Sequence, residues 1–169
     1  MHETESLASQ AATAQSFKNA FREHPAGVAV ITAITPEGPV GLTASSVASV
    51  AVDPPALSFS VTRATGSAGA LLSADTYVVH LLGTQHVDVA EAFARSGAPR
   101  FTPEQGFTTL PTGEPLLADA RQALRCRTIQ VVPVGSSLLV VAEVLDVITG
   151  PASEPLVYHD RRFLRLSHD

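Results

Sequence analysis

Between Gly41 and Ser49 the chain reads Gly-Leu-Thr-Ala-Ser-Ser-Val-Ala-Ser, four hydroxyls set on a run of small residues. Small side chains let a flat ligand lie against the backbone, whose N–H and C=O groups can pair with the polar edge of a heterocycle. The same pattern equally describes an ordinary strand with a solvated Ser/Thr face. Other chemistries lack their motifs: there is no GxSxG elbow, HExxH, GxxxxGK[ST] or strand-following GxGxxG. The six histidines are scattered, with no i, i+4 pair for a metal. His86 and Asp88 lack a motif-placed serine and read as polar positions on a helix. A single cysteine, Cys126, excludes an intrachain disulfide and a CxxC pair, so redox chemistry would need a bound cofactor.

The 169 residues fit one domain, and 45% of them are apolar, enough for a real core. Charged residues make up 16%, below the roughly 25% of an average domain, which points to surface hidden in a homodimer. A net charge of −5 without a Lys/Arg cluster speaks against nucleic acid. The acidic start Met1-His2-Glu3-Thr4-Glu5 does not resemble a signal peptide, and no apolar run reaches about 20 residues. The expectation is a cytoplasmic protein with no membrane contact.

The elements that must position these residues are mostly strands. A loose tail over residues 1–8 precedes a helix from Ser9 to Glu23, stopped at His24-Pro25-Ala26-Gly27. Strands are predicted over 28–34, 39–52, 56–61, 77–82, 124–134, 138–148 and 162–166, with Asp53-Pro54-Pro55 as a break. Helices are predicted over 68–73, with Ser67 as N-cap, and over 86–95. Residues 96–118 hold four prolines and several glycines and read as a long mobile loop, a candidate lid. Six or seven strands with two or three helices predict a mainly β fold, a β-barrel with flanking helices.

Gly-Leu-Thr-Ala-Ser-Ser at 41–46, Asp-Pro-Pro at 53–55 and the strand after it resemble the flavin reductase-like family of FMN-binding split barrels. The likeness continues through Phe21–Thr32, Tyr77–Leu82, the Gly97-Ala98-Pro99-Arg100-Phe101 step, and Pro155–His159 with Arg162-Phe163. It spans about residues 17–166, leaving 1–16 as N-terminal tail and helix start. The resemblance implies a split β-barrel of Greek-key-like order and an NAD(P)H-dependent reductase that moves hydride to flavin N5 and supplies reduced FMN or FAD to a partner monooxygenase. It implies that Thr43, Ala44, Ser45 and Ser46 line the isoalloxazine. Ser60, Thr62, Thr65 and Ser67 would lie along the ribityl and phosphate, with the helix N-terminus at Ser67 favouring the anion. Arg100 becomes the phosphate partner with Phe101 packing on the cofactor, and Arg63 a weaker candidate. Tyr158 and His159 would border the open face where the nicotinamide stacks, His159 as the catalytic-side residue.

Two positions depart from the family pattern. His80 stands where many members carry Asn, near the flavin's polar edge, and Gly135-Ser136-Ser137 replaces a Gly-Asp-His hairpin associated with nicotinamide binding. Two other readings stay open: a flavin-retaining enzyme acting on an organic substrate, and a non-catalytic flavin- or haem-binding protein.

Overall fold

The computed structural model describes residues 2–62 and 65–166. Helix α1 (His2–Arg22) leads into the short strand β1 (Ala26–Gly27), then β2 (Ala29–Thr35), β3 (Gly38–Ala44), β4 (Ala48–Val52) and β5 (Pro55–Thr62). Helix α2 (Gly66–Ser73), β6 (Tyr77–Leu81) and helix α3 (Val87–Ala94) follow, then the small hairpin β7 (Phe107–Thr109) and β8 (Pro115–Leu117). The long hairpin β9 (Gln122–Val134) and β10 (Ser137–Thr149) precedes a terminal pair, β11 (Leu156–His159) and β12 (Arg162–Arg165). Seven strands form one antiparallel sheet in the order β3-β2-β6-β9-β10-β5-β4. Its two end strands are joined through residues 45–47, and Ser60 N–H donates to Ser46 Oγ at 2.9 Å, so the row closes into a barrel. The fold is mainly β with flanking helices, as expected.

Alternation on the strands builds two cores. Ala29, Ile31 and Ala33 of β2, Leu57, Phe59 and Val61 of β5, and Tyr77 and Val79 of β6 point into the barrel, with Cys126, Val140 and Ala142. On the opposite face Val30 of β2, with Val28 and Leu82 just outside β2 and β6, packs against Val89, Ala90 and Phe93 of α3. Each such large side chain contributes roughly 1.5–3 kcal/mol by leaving water.

Three expectations are corrected. The helix begins at His2 rather than Ser9, in keeping with the alanine-rich stretch 8–14. Residues 39–52 make two strands, because the chain bends at Ser45-Ser46-Val47 to cross from one end of the sheet to the other. Residues 96–118 are a pinned strap rather than an open loop. β7 and β8 pair, Phe107 packs on Phe93 and Phe101, and the buried Glu114 carboxylate binds Arg125 Nε at 2.7 Å. Among the described residues no helix is long and apolar enough to cross a membrane.

Candidate functional site

A cleft of about 780 Å³ opens between the end of β3, helix α3 and the β11–β12 hairpin. Thr43 and Ser45 form its floor, Val87, Glu91, Ala94 and Arg95 one wall, and Tyr158, Arg161, Arg162 and Phe163 the other. The floor follows from register. Thr43 lies opposite Val30, and its hydroxyl donates to Ala90 O at 2.7 Å, tying β3 to α3. Ala44, one residue on, turns its methyl into the barrel opposite Ala29, so only its backbone can face a ligand. Ser46 is engaged with Ser60 at the barrel seam, accepting from its N–H and donating to its carbonyl at 3.3 Å.

Gly41 allows the close approach of α3 to this wall. A Cβ there would stand 2.6 Å from Phe93 Cε1 and 3.0 Å from Ile31 O. Phe93 in turn lies under Arg100, whose guanidinium carbon is 5.5 Å from the ring centre. Arg100 is the junction of the region. Nη1 donates to Gly41 O at 2.8 Å and to Ser67 Oγ at 2.9 Å, while Nη2 donates to Arg95 O at 3.1 Å. With Nε donating to Ala92 O at 3.4 Å, one planar guanidinium serves four acceptors on three elements, which a lysine cannot do. Phe101, at φ 58°, packs edge-on against Phe93 at 5.0 Å.

Ser67 is not the N-cap of α2. Thr65 holds that position in extended geometry, and its side chain makes no capping bond. The first turn also has no acidic residue, and Arg100 stands beside it through its bond to Ser67 Oγ. Thr62 and Thr65 are exposed on either side of residues 63–64, and Arg63 lies outside the described residues.

Two expected site residues are placed elsewhere. His80 is fully buried, with Nδ1 donating to Val30 O at 3.0 Å and Nε2 accepting from Leu117 N–H at 3.0 Å. Both ring nitrogens are used, and burial holds its pKa down to about 4, so it is a neutral core residue fastening β6 to the strap. His159 parts from Tyr158 because neighbours on a strand face opposite ways. Tyr158 lines the cleft, whereas His159 faces a recess with Asn19, Arg22 and Asp160 beside α1. His86 is buried too, accepting from Gly83 N–H at 3.1 Å, with Asp119 3.0 Å away but out of line for a hydrogen bond. Burial pushes the Cys126 thiol up to about 12, which removes it as a nucleophile. The sequence assigns no site role to Arg95, Arg161, Arg162 or Phe163, although Arg162-Phe163 belongs to the motif that carries the family resemblance and Arg161-Arg162 is an adjacent pair of like charges.

The barrel seam, the start of α2 and the anchored Arg100 meet beside an open cleft rimmed by Arg95, Arg161 and Arg162. The chain belongs to the flavin reductase-like domain family, whose profile matches residues 21–167. It is 39% identical over 156 residues to an NADH:FMN oxidoreductase of Rhodococcus qingshengii, covering 90% of this chain and 81% of that one. The structure of an NADH:FAD oxidoreductase from Streptomyces globisporus, in complex with NAD and FAD fragments, superposes with a TM-score of 0.83 at 27% identity, covering 90% of this chain and 92% of that one. The styrene monooxygenase flavin reductase of Pseudomonas putida S12 gives 0.80 at 28% identity, covering 90% and 98%.

Proposed function

We propose that this chain is an NAD(P)H:flavin oxidoreductase that reduces FMN or FAD and supplies it to a partner flavin monooxygenase. The observation that carries the reading is Arg100, held by Gly41 O and Ser67 Oγ so that it stands beside the uncapped start of α2 at the edge of the small-residue wall. That arrangement suits a phosphate next to a flat ring system. Backbone groups of 43–46 and the Ser45 hydroxyl would face the ring's polar edge. Ser60, Thr62, Thr65 and Ser67 would follow the ribityl chain toward the phosphate, with Arg100 as its charge partner. Bound flavin supplies the hydride acceptor for a reduced nicotinamide. Phe101 acts through Phe93 and Phe107, holding Arg100 and the strap in place. Tyr158 borders the open side of the cleft. The protein orients and surrounds the reactants, and no side chain need exchange a proton.

A homodimer completes the proposal. Val50 and Val52 on β4, Ile129 and Val131 on β9, and Val147 on β10 are exposed, as are Phe17 and Phe21 on α1. So many outward apolar side chains within one sheet suit a partner surface. The nicotinamide pool such an enzyme draws on is cytoplasmic. The deciding assay follows loss of NADH and NADPH with riboflavin, FMN and FAD in turn. Steady turnover that depends on added flavin is expected, and flat absorbance in every combination ends the reading. Light scattering on the eluted protein should give twice the chain mass, and Ile129→Asp should halve it; a monomeric wild type refutes the dimer.

A further inference from the structure

We infer that Arg95, Arg161 and Arg162 form a seat for a nucleoside diphosphate, the group that separates NADH from reduced nicotinamide mononucleotide and FAD from FMN. The inference rests on the flavin reductase reading and assigns a part of the cleft away from Arg100. All three arginines line the cleft, and among the described residues none of the three forms an ion pair or a side-chain hydrogen bond. Arg100 differs, since its guanidinium is anchored by Ala92 O, Gly41 O, Ser67 Oγ and Arg95 O, which leaves one Nη2 hydrogen for the flavin phosphate.

Two features keep the cluster uncompensated. The nearest carboxylate on the hairpin, Asp160, is turned toward α1, where it accepts from Arg22 Nε at 2.5 Å, and its own N–H donates to Arg22 O at 2.9 Å. Arg162 still feels the Asp160 charge but makes no contact with it. Glu91 is the one carboxylate lining the cleft, against three guanidinium groups. Such a charge balance favours a doubly charged anion, which guanidinium forks hold through paired hydrogen bonds.

The hairpin is also built at the expense of backbone comfort. β11 and β12 are joined by Asp160 and Arg161 alone, at φ 48° and 61°. Two-residue turns with both positions left-handed favour glycine at the second, yet an arginine occupies it. Such a backbone conformation persists where its surroundings hold it, and here it stands at the rim of the cleft. Beside the arginines, Tyr158 and Phe163 stand with ring centres 5.3 Å apart and give a base an aromatic wall.

The test uses the full chain and the variants Arg161→Gly, Arg95→Gln and the double variant Arg161→Gly/Arg162→Gln. Glycine suits the turn, so Arg161→Gly folds. ADP-ribose, which carries the diphosphate without nicotinamide or flavin, is titrated by calorimetry against each protein. Wild type should bind it, and the double variant should bind at least roughly tenfold more weakly, as expected for loss of charge-assisted bonds. With FMN as acceptor, KM for NADH should rise by a similar factor with kcat held, while KM for reduced nicotinamide mononucleotide stays put. If instead FAD affinity falls and FMN affinity does not, the flavin's own diphosphate occupies the seat. Unchanged ADP-ribose binding together with unchanged NADH, mononucleotide and FAD parameters overturns the inference. No turnover by wild type with any flavin defeats the reductase reading, whereas the ADP-ribose titration still decides this one.

Discussion

Replacing Glu114 by glutamine isolates one buried charge and has a calculable effect. The carboxylate is only 1% exposed and accepts from Thr76 and Thr112 hydroxyls and from Arg125 Nε at 2.7 Å. Burial alone would raise its pKa, but the bonds from Thr112, Thr76, its own backbone and Arg125 outweigh that and bring it from 4.5 down to about 2. At 1.36 kcal/mol per unit, the ionised form stabilises the fold by about 3 kcal/mol at neutral pH. A folded pKa below the unfolded one means this stability is complete above pH 4.5 and is lost as the pH falls toward 2. Glutamine keeps the size and one acceptor but not the charge, so Glu114→Gln should lose about 3 kcal/mol at pH 7, or roughly 6–12 °C in Tm for a chain of this length. Urea unfolding at fixed protein concentration, from pH 7 to pH 2.5, is the assay. The gap between wild type and variant should narrow as the pH drops below 4.5. A variant as stable as wild type at pH 7, or a gap that ignores pH, would refute the argument that this ionised cluster pins the strap.

Gly41→Ala should push Phe93 off its position, costing about 1–3 kcal/mol and weakening flavin binding; equal melting temperature and flavin affinity would contradict the close approach of α3. Arg100→Lys should raise the flavin Kd about tenfold, because one ammonium cannot span Gly41 O, Ser67 Oγ and Arg95 O; fluorescence titration reads it. His80 is held neutral with its pKa lowered from 6.5 to about 4. The unfolded chain therefore takes up a proton that the folded one refuses, so stability falls by about 3 kcal/mol as the pH drops from 6.5 to 4. That slope should flatten in His80→Asn, measured by urea midpoints across the same window.

Local chemistry made much of this molecule readable in one dimension. Alternation over 29–35, 55–62 and 77–81, the breaks at proline pairs and the small-residue run at 41–46 are properties of adjacent residues, so strands, barrel class and the candidate wall were legible from them. The ordered motif matches then pointed to the family that the full-length comparison establishes. Other features depend on partners distant in the chain. Whether His80 meets a ligand or the core was decided by Val30 and Leu117, 50 and 37 positions away. Residues 96–118 looked mobile from their prolines, yet Arg125 and Thr76 hold Glu114 there. His159 and Tyr158 are neighbours whose separation follows from a strand that was not foreseen, since β11 exists by pairing with β1 and β12. Periodicity and side-chain size are local, so the order of residues alone specifies which of them can build a barrel and a flat-ligand wall. Which polar groups stay free is a three-dimensional property, because a buried donor or acceptor pairs with groups that the fold brings to it from far along the chain.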